Sequence, residues 1–187
     1  MTNKISEIIV YGRGGQGAKT TAEIIAQGAL LENKFVQAFP EFGPERSGAP
    51  VQTFVRISDK PIKTRQPVVN PICFMVLDET LLEVFEDFEK LSEDSFLIIN
   101  TKRSKEEVLE EIKFRGQLTL VDASGLSMKI VGQDRPNTVI LGKFSAVTGL
   151  VELENLVKVF RNKYQGKIGD ENTNKNINAI RAAYEQK

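Results

Sequence analysis

An α/β fold is predicted for this chain: a mostly parallel sheet, helices on both faces and an inserted β-hairpin, a Rossmann-like plan. Three observations predict it. Short apolar runs of strand length alternate with stretches of helical period along nearly the whole sequence. Most of these runs are continuously apolar and end on Gly, Asp or Asn, as strands covered on both faces do. The first run opens through a glycine-rich turn, GRGGQG, into an apolar-periodic segment. With 187 residues, the chain suffices for one such domain spanning 1–187. A chain of this length buries roughly 70% of its unfolded surface and needs no disulfide or metal to hold a core.

Taken in order, Glu7–Gly12 (EIIVYG) is a buried strand stopped by glycine. Ala18–Leu31 is a helix, with Ala18, Ala22, Ile25, Ala26, Ala29 and Leu30 on one face and small enough to lie close on a sheet. Phe35–Phe39 is a second strand. Pro40–Pro50 (PEFGPERSGAP) is a loop, rich in Pro and Gly. Val51–Ile57 alternates like a strand, SDKP turns, and Ile62–Arg65 pairs back to complete the hairpin. Ile72–Leu77 is a buried strand ending at Asp78, Thr80–Leu91 a helix, Phe96–Ile99 a strand ending at Asn100, and Lys105–Phe114 a helix. Leu118–Val121 is a strand ending at Asp122, and Thr138–Leu141 reads as a further one. Val151–Tyr164 and Asn174–Glu185 are helices, separated by the polar linker QGKIGDENTN.

Composition removes several function classes. The formal net charge is zero, without the basic excess that marks a nucleic-acid binder. There is no histidine, which removes the Ser-His-Asp and Cys-His triads, the usual zinc ligands and the usual neutral-pH base. The one cysteine, Cys73 in PICFMVL, can form no internal disulfide or iron–sulfur site and reads as a small buried hydrophobe. The N-terminus lacks a signal peptide's apolar core, and no apolar stretch reaches the ~18 residues of a membrane span. A cytoplasmic protein that binds and positions is the expectation.

The glycine turn nearly matches two phosphate loops. Gly12-x-Gly14-x-x-Gly17 fits the dinucleotide fingerprint, but the ribose-binding acid about 20 residues on is missing: the second strand carries Gln37, and Glu41 lies beyond Pro40. Gly12–Gly17 also gives the G-x-x-x-x-G of a P-loop, but Ala18 separates Gly17 from Lys19-Thr20, and one extra residue turns a helix start by about 100°. A helix N-terminus with unpaired N–H groups remains, with Arg13 and Gln16 projecting from a turn of bare glycines. A ligand or subunit contact is the expectation, and a merely tight turn the rival. A stand-alone nucleotide-binding protein using this loop is the alternative function.

The loop from Pro40 to Pro50 carries the more specific pattern. Glu45 and Arg46 sit between Pro44 and Gly48. GRGGQG, then AFPEFGPERSGAPV, then a strand, ISDKPI and PVVNPICFMVLD resembles the gamma subunit of the 2-oxoacid:ferredoxin oxidoreductases, over about Ile8–Leu82. The pyruvate (pyruvate synthase) and 2-oxoisovalerate branches are the most similar; the oxoglutarate and indolepyruvate branches share the glycine motif but differ in the second loop.

The resemblance implies a function that composition does not. In this family a 2-oxoacid is decarboxylated on thiamine diphosphate, electrons leave through [4Fe–4S] clusters to ferredoxin or flavodoxin, and the acyl group passes to coenzyme A. Thiamine diphosphate, magnesium and the clusters belong to the partner alpha, beta and delta (ferredoxin-like) subunits. This chain is expected to bind none of them alone, to be inactive alone, and to assist assembly and the coenzyme A side of the site. The resemblance places Gly12, Arg13, Gly14, Gly15, Gln16 and Gly17 in one shared motif and Glu45, Arg46, Ser47, Gly48 and Ala49 in the other, as cofactor-binding or subunit-contact residues; no catalytic or metal-binding residue is assigned. Arg46 either pairs with a carboxylate or phosphate at the shared site or pairs with Glu45 or a partner subunit. No nucleic-acid or membrane partner is expected.

Other polar residues take blander readings. Asp78, Asn100 and Asp122 end strands, where such side chains most often cap the following helix. Lys60, Lys63 and Arg65 read as a solvated face, and Lys102, Arg103 and Lys105 as the polar start of a surface helix.

Overall fold

The computed structural model describes residues 5–40, 48–85 and 88–186. Its elements are β1 (Ile5–Arg13), α1 (Ala18–Leu31), β2 (Phe35–Pro40), β3 (Pro50–Ser58), β4 (Cys73–Val76), β5 (Phe96–Asn100), α2 (Lys105–Glu111), β6 (Gln117–Val121), α3 (Ala123–Ile130), α4 (Pro136–Thr148) and α5 (Leu153–Glu185). Short 3₁₀ turns at Glu79–Leu81 and Phe88–Lys90 lie between β4 and β5.

The strands form a six-stranded sheet in the order β2-β3-β1-β4-β5-β6. β1, β4, β5 and β6 run parallel, and β2 and β3 are antiparallel to their neighbours, so the sheet is a parallel half joined to a hairpin half. Alternation along each strand divides the core in two. Ile8 and Val10 of β1 face a layer built from α1, α4 and α5, with Cys73 and Met75 of β4 beside them. Ile9 and Tyr11 face the other way, onto Phe74, Val76, Leu97, Ile99 and the α2 residue Val108. On that second face an aromatic cluster closes over the sheet, with Phe74 and Phe85 ring centres 4.7 Å apart and Phe85 and Phe88 4.6 Å apart.

Several sequence expectations change. The hairpin is made by β2 and β3, joined through the Pro40–Pro50 loop, rather than by Val51–Ile57 and Ile62–Arg65. Residues 61–70 form no strand and cross the second face of the hairpin half instead. Buried Arg56 holds them there. It donates to the Gln66 carbonyl and, at 3.3 Å, to Gln37 Oε1, pairs with Glu7 Oε1 at 2.7 Å, and lies 5.3 Å over the Phe39 ring. A strand there would have left this guanidinium in the interior without its carbonyl partner.

Thr138–Leu141 belongs to helix α4, whose Pro136 occupies the first turn, where a missing N–H costs nothing. Thr80–Leu91 gives two 3₁₀ turns in place of one helix among its described residues. α3 was not anticipated; it starts where Asp122 accepts from the Gly125 N–H at 2.7 Å. The polar linker is helical too, so α5 continues to Glu185, broken at Gly169, whose φ of 76° and ψ of 167° are non-helical. Val151 and Glu152 precede α5, and Ile112–Phe114 follow α2. α2 carries a full capping box, Ser104 accepting from the Glu107 N–H and Glu107 accepting from the Ser104 N–H. Arg103, just before the N-cap, pairs with Glu111 of α2 at 2.5 Å.

Candidate functional site

The candidate site is the edge where β1, β3 and β4 end. The backbone brings the two sequence motifs together first. At the end of the β1–β3 ladder the chains remain paired beyond the strands: the Gly14 N–H donates to the Ala49 carbonyl at 2.8 Å, and the Gly48 N–H donates to the Gly14 carbonyl at 3.2 Å. Gly48 and Ala49 of the second motif therefore lie directly against Gly14 of the first. Glu45, Arg46 and Ser47 lie outside the described residues.

Arg13 ties this pair to a third segment. Its guanidinium donates from Nη1 to the Gly48 carbonyl at 3.1 Å, and from Nη2 and Nε to Thr80 Oγ1 at 2.6 and 3.2 Å. Nε lies 3.3 Å from Asp78 Oδ2, with the arginine side chain 31% exposed and the aspartate 19%. Gln16 closes the ring. Its Nε2 donates to Asp78 Oδ2 at 2.7 Å, and its Oε1 accepts from the Arg13 N–H at 2.7 Å. The side chains of Arg13 and Gln16 thus have intramolecular partners: they clamp the glycine turn, the Gly48 loop and the β4 exit into one surface.

Asp78 is the hub of the clamp. Burial pushes its carboxyl up, but the hydrogen bonds from the Thr80 hydroxyl and N–H and from Gln16, with the Arg13 charge beside it, together hold it below its ordinary value. The same contacts cap the 3₁₀ turn that follows β4. Asp122 caps α3, and Asn100 stitches β4 to α3 by donating to the Leu77 carbonyl at 2.9 Å while accepting from the Ser124 N–H at 3.1 Å. Asp78 and Asp122 thereby hold the segment that follows their own strands, whereas Asn100 ties the β4 exit to α3 and the helix after its own strand is capped by Ser104.

The glycines serve different ends. Gly12 packs on Leu77, whose Cδ1 would lie 3.1 Å from any Cβ there. Gly15 (φ 95°) is exposed, with nothing within 4 Å of its missing Cβ. Gly17 (φ 84°) is the N-cap of α1, and a Cβ there would meet Asn137 Nδ2 at 2.6 Å. Both positive φ values favour glycine, but only Gly17 is also packed against a neighbour. α1 has no side-chain cap, and Lys19 is exposed on its first turn. The fully buried Thr21 hydroxyl donates to the Asn137 carbonyl at 2.8 Å, joining α1 to α4.

Sequence reasoning overlooked Thr80 as a clamp residue, and Asn137 and Thr21 altogether. Asp78-x-Thr80 at a strand end is an Asx-type cap, which was the available signal for Thr80. For Asn137, Pro136 was the signal: proline marks a helix start more readily than a central strand. Donor chemistry for a metal or cluster is thin. Cys73 is fully buried, which pushes its thiol up, and no group of three or more His, Cys, Asp or Glu side chains could hold a metal among the described residues. Among them, no helix is long and apolar enough to cross a membrane.

Comparison with known proteins gives the same answer along nearly the full length. The family model described as pyruvate ferredoxin/flavodoxin oxidoreductase matches residues 7–186. The chain is 43% identical over 181 residues to the pyruvate/ketoisovalerate oxidoreductases common subunit gamma of Pyrococcus furiosus, covering 96% of each chain. It is 44% identical over 180 residues to the pyruvate synthase subunit PorC of Methanothermobacter marburgensis, again covering 96% of each. The crystal structure of pyruvate oxidoreductase subunit PORC from Thermotoga maritima is similar with a TM-score of 0.86 at 38% identity, covering 98% of this chain and 97% of that one. The 2-oxoglutarate:ferredoxin oxidoreductase of Magnetococcus marinus, solved with 2-oxoglutarate, coenzyme A and succinyl-CoA bound, shares the fold at 21% identity and a TM-score of 0.78; the match covers 97% of this chain but 31% of that longer one. The clamped motifs, the sheet order and these likenesses agree, and the chain belongs to the pyruvate ferredoxin/flavodoxin oxidoreductase family.

Proposed function

We propose that this chain is the gamma subunit of a 2-oxoacid:ferredoxin or flavodoxin oxidoreductase acting on pyruvate or a related branched-chain 2-oxoacid. The observation that carries the reading is the join of its two family motifs into one surface through Arg13, Gly14 and Gly48. The overall reaction takes a 2-oxoacid and coenzyme A to the acyl-CoA and CO₂, and two electrons pass to the iron–sulfur acceptor. Thiamine diphosphate, magnesium and [4Fe–4S] clusters supply the decarboxylation and electron transfer, held by alpha, beta and delta (ferredoxin-like) partner subunits. The single buried cysteine of this chain does not suit a four-cysteine cluster.

What this chain contributes is positioning. Gly12 to Gly17 with Glu45 to Gly48 form its contact face on the coenzyme A side of the shared site. Gly15 offers bare, exposed backbone for close approach, while Asp78 and Thr80 keep Arg13 fixed against the Gly48 loop. Arg46, on the same loop as Gly48, supplies the cation for a carboxylate or phosphate. The family likeness supports this reading over a stand-alone nucleotide-binding protein, and so does the absence from the sequence of both the ribose-binding acid and the P-loop lysine spacing. The cytoplasm is the compartment proposed for the complex.

The test is anaerobic capture of the tagged chain from its native host, assayed for viologen reduction with pyruvate, 2-oxoisovalerate and 2-oxoglutarate. Co-purifying iron–sulfur subunits with coenzyme A-dependent reduction are expected, and the preferred acid names the branch. A chain that comes down alone, inactive with all three acids and stabilised by NAD or ATP, would favour the nucleotide-binding alternative.

A further inference from the structure

On the helical side of the sheet a groove of about 200 Å³ opens between the start of α4 and the break in α5. One end is rich in donors. Among the described residues the Arg135 guanidinium has only a neutral partner, Gln133 Oε1, at 3.1 and 3.2 Å. Pro136 has no N–H, the Asn137 N–H has no partner among the described residues, and the start of α4 has no side-chain cap. A 13-residue helix thus presents its positive end here. The second observation is Thr138. It lines the groove and is only 5% exposed, and its hydroxyl has no hydrogen-bond partner among the described residues. The hydroxyl opens onto the groove, where a ligand oxygen can take the place that water otherwise fills.

The other end is rich in acceptors. Asn172 and Asn176 donate from Nδ2 to the Ile168 and Asn172 carbonyls at 3.0 and 2.8 Å, which leaves both Oδ1 atoms as acceptors beside the groove. Phe160 and Tyr164, with ring centres 4.7 Å apart, supply the apolar wall. No acidic side chain lines the groove.

We propose that this groove binds a small hydroxylated oxyanion, a phosphate ester or a hydroxycarboxylate. Its anionic group sits against Arg135, Thr138 and the start of α4, and its hydroxyls donate to Asn172 and Asn176. The site is coupled to the glycine loop, because Asn137 takes the Thr21 hydroxyl and packs against Gly17. This inference does not depend on the subunit reading, and its test uses the full chain without 2-oxoacid turnover.

The test is an amide NMR titration of the full chain with glycerol 3-phosphate, with malate and with neutral glycerol. Saturable shifts are expected in residues 131–138 and 168–176, extending to Gly17, with at least one of the two oxyanions and not with glycerol. Which oxyanion binds identifies the source. Arg135→Gln should weaken binding about tenfold, the size of a lost charge-assisted hydrogen bond. Thr138→Val should weaken it by a smaller factor. Arg135 is exposed, so Arg135→Gln carries the test even if Thr138→Val melts early. No saturable shift with either oxyanion, or equal affinity in Arg135→Gln, would overturn the proposal.

Discussion

Two arginines, Arg13 and Arg56, do opposite work on the same sheet. Arg56 is 1% exposed, surrounded by Glu7, Gln37, the Gln66 carbonyl and the Phe39 ring. Arg13 is 31% exposed and bonded to Thr80, Asp78 and the Gly48 carbonyl. Both gather segments distant in sequence. The first does so in the interior, where an unmatched charge is costly; the second does so at the rim, where water replaces a lost partner cheaply. The difference teaches which arginine holds the fold and which shapes a surface. It also predicts that Arg13 is the one of the two that can be replaced without unfolding the protein.

The comparison can be broken first at its strong end. Arg56→Ala leaves Glu7 without its partner and frees residues 61–70 from the sheet. A loss of about 3 kcal/mol is expected, in the range for breaking a buried pair. At this chain length that lowers the melting temperature by roughly 6–12 °C in a calorimetric scan. A loss as small as that of Arg13→Ala would erase the distinction between the two sites.

The glycine turn sharpens it next. Gly17→Ala carries both a positive φ and a collision with Asn137, so about 2 kcal/mol is expected; Gly15→Ala carries the positive φ alone, so about 1 kcal/mol. Denaturant midpoints that rank these two in the reverse order would contradict the packing of Gly17 on α4.

At the rim, Arg13→Ala, Thr80→Val and their double variant form a cycle. Each single change is expected to cost about 1 kcal/mol or less, with a coupling of about 0.5 kcal/mol, read from urea unfolding. Zero coupling would mean that Arg13 and Thr80 are neighbours without a shared bond.

The smallest effect is one of pH. The Asp78 carboxyl is held below its ordinary value of 3.8, so its contribution is present above that value and fades as pH falls through the lower folded one. The wild-type advantage over Asp78→Asn should therefore be full at neutral pH and shrink below about pH 4. A difference that grows on acidification would reverse the sign of the shift.

How far the sequence discloses this arrangement depends on how local each cause is. β1, α1, β2, β3 and β5 follow from apolar period and glycine punctuation, and the structure has them within a residue or two of the expected bounds. Ile62–Arg65 misleads because alternation beside a turn resembles a hairpin; what decides against it is Arg56, whose need for the Gln66 carbonyl is a tertiary fact. Thr138–Leu141 misleads because a short β-branched run fits strand or helix, and Pro136 was the local arbiter. The linker reads as a loop for its polarity, yet it continues α5, with Gly169 marking the break. At the site, the two motifs were visible as sequence. Their contact through Gly14, Gly48 and Ala49 was not, because strand register sets it. Thr80 and Asn137 carry local signals as a cap and a helix start, but their contacts with Arg13 and Gly17 are not legible, because each partner arrives from far along the chain.

The most direct test of the central claim, that Arg13 shapes a functional surface rather than the fold, is steady-state kinetics of the assembled oxidoreductase carrying Arg13→Ala. The account predicts a subunit that melts within a few degrees of wild type, while the complex either fails to assemble or shows a KM for coenzyme A raised about tenfold, the loss expected for one charge-assisted contact network. An Arg13→Ala complex that assembles with unchanged coenzyme A kinetics, or an isolated Arg13→Ala chain that unfolds as readily as Arg56→Ala, would contradict it.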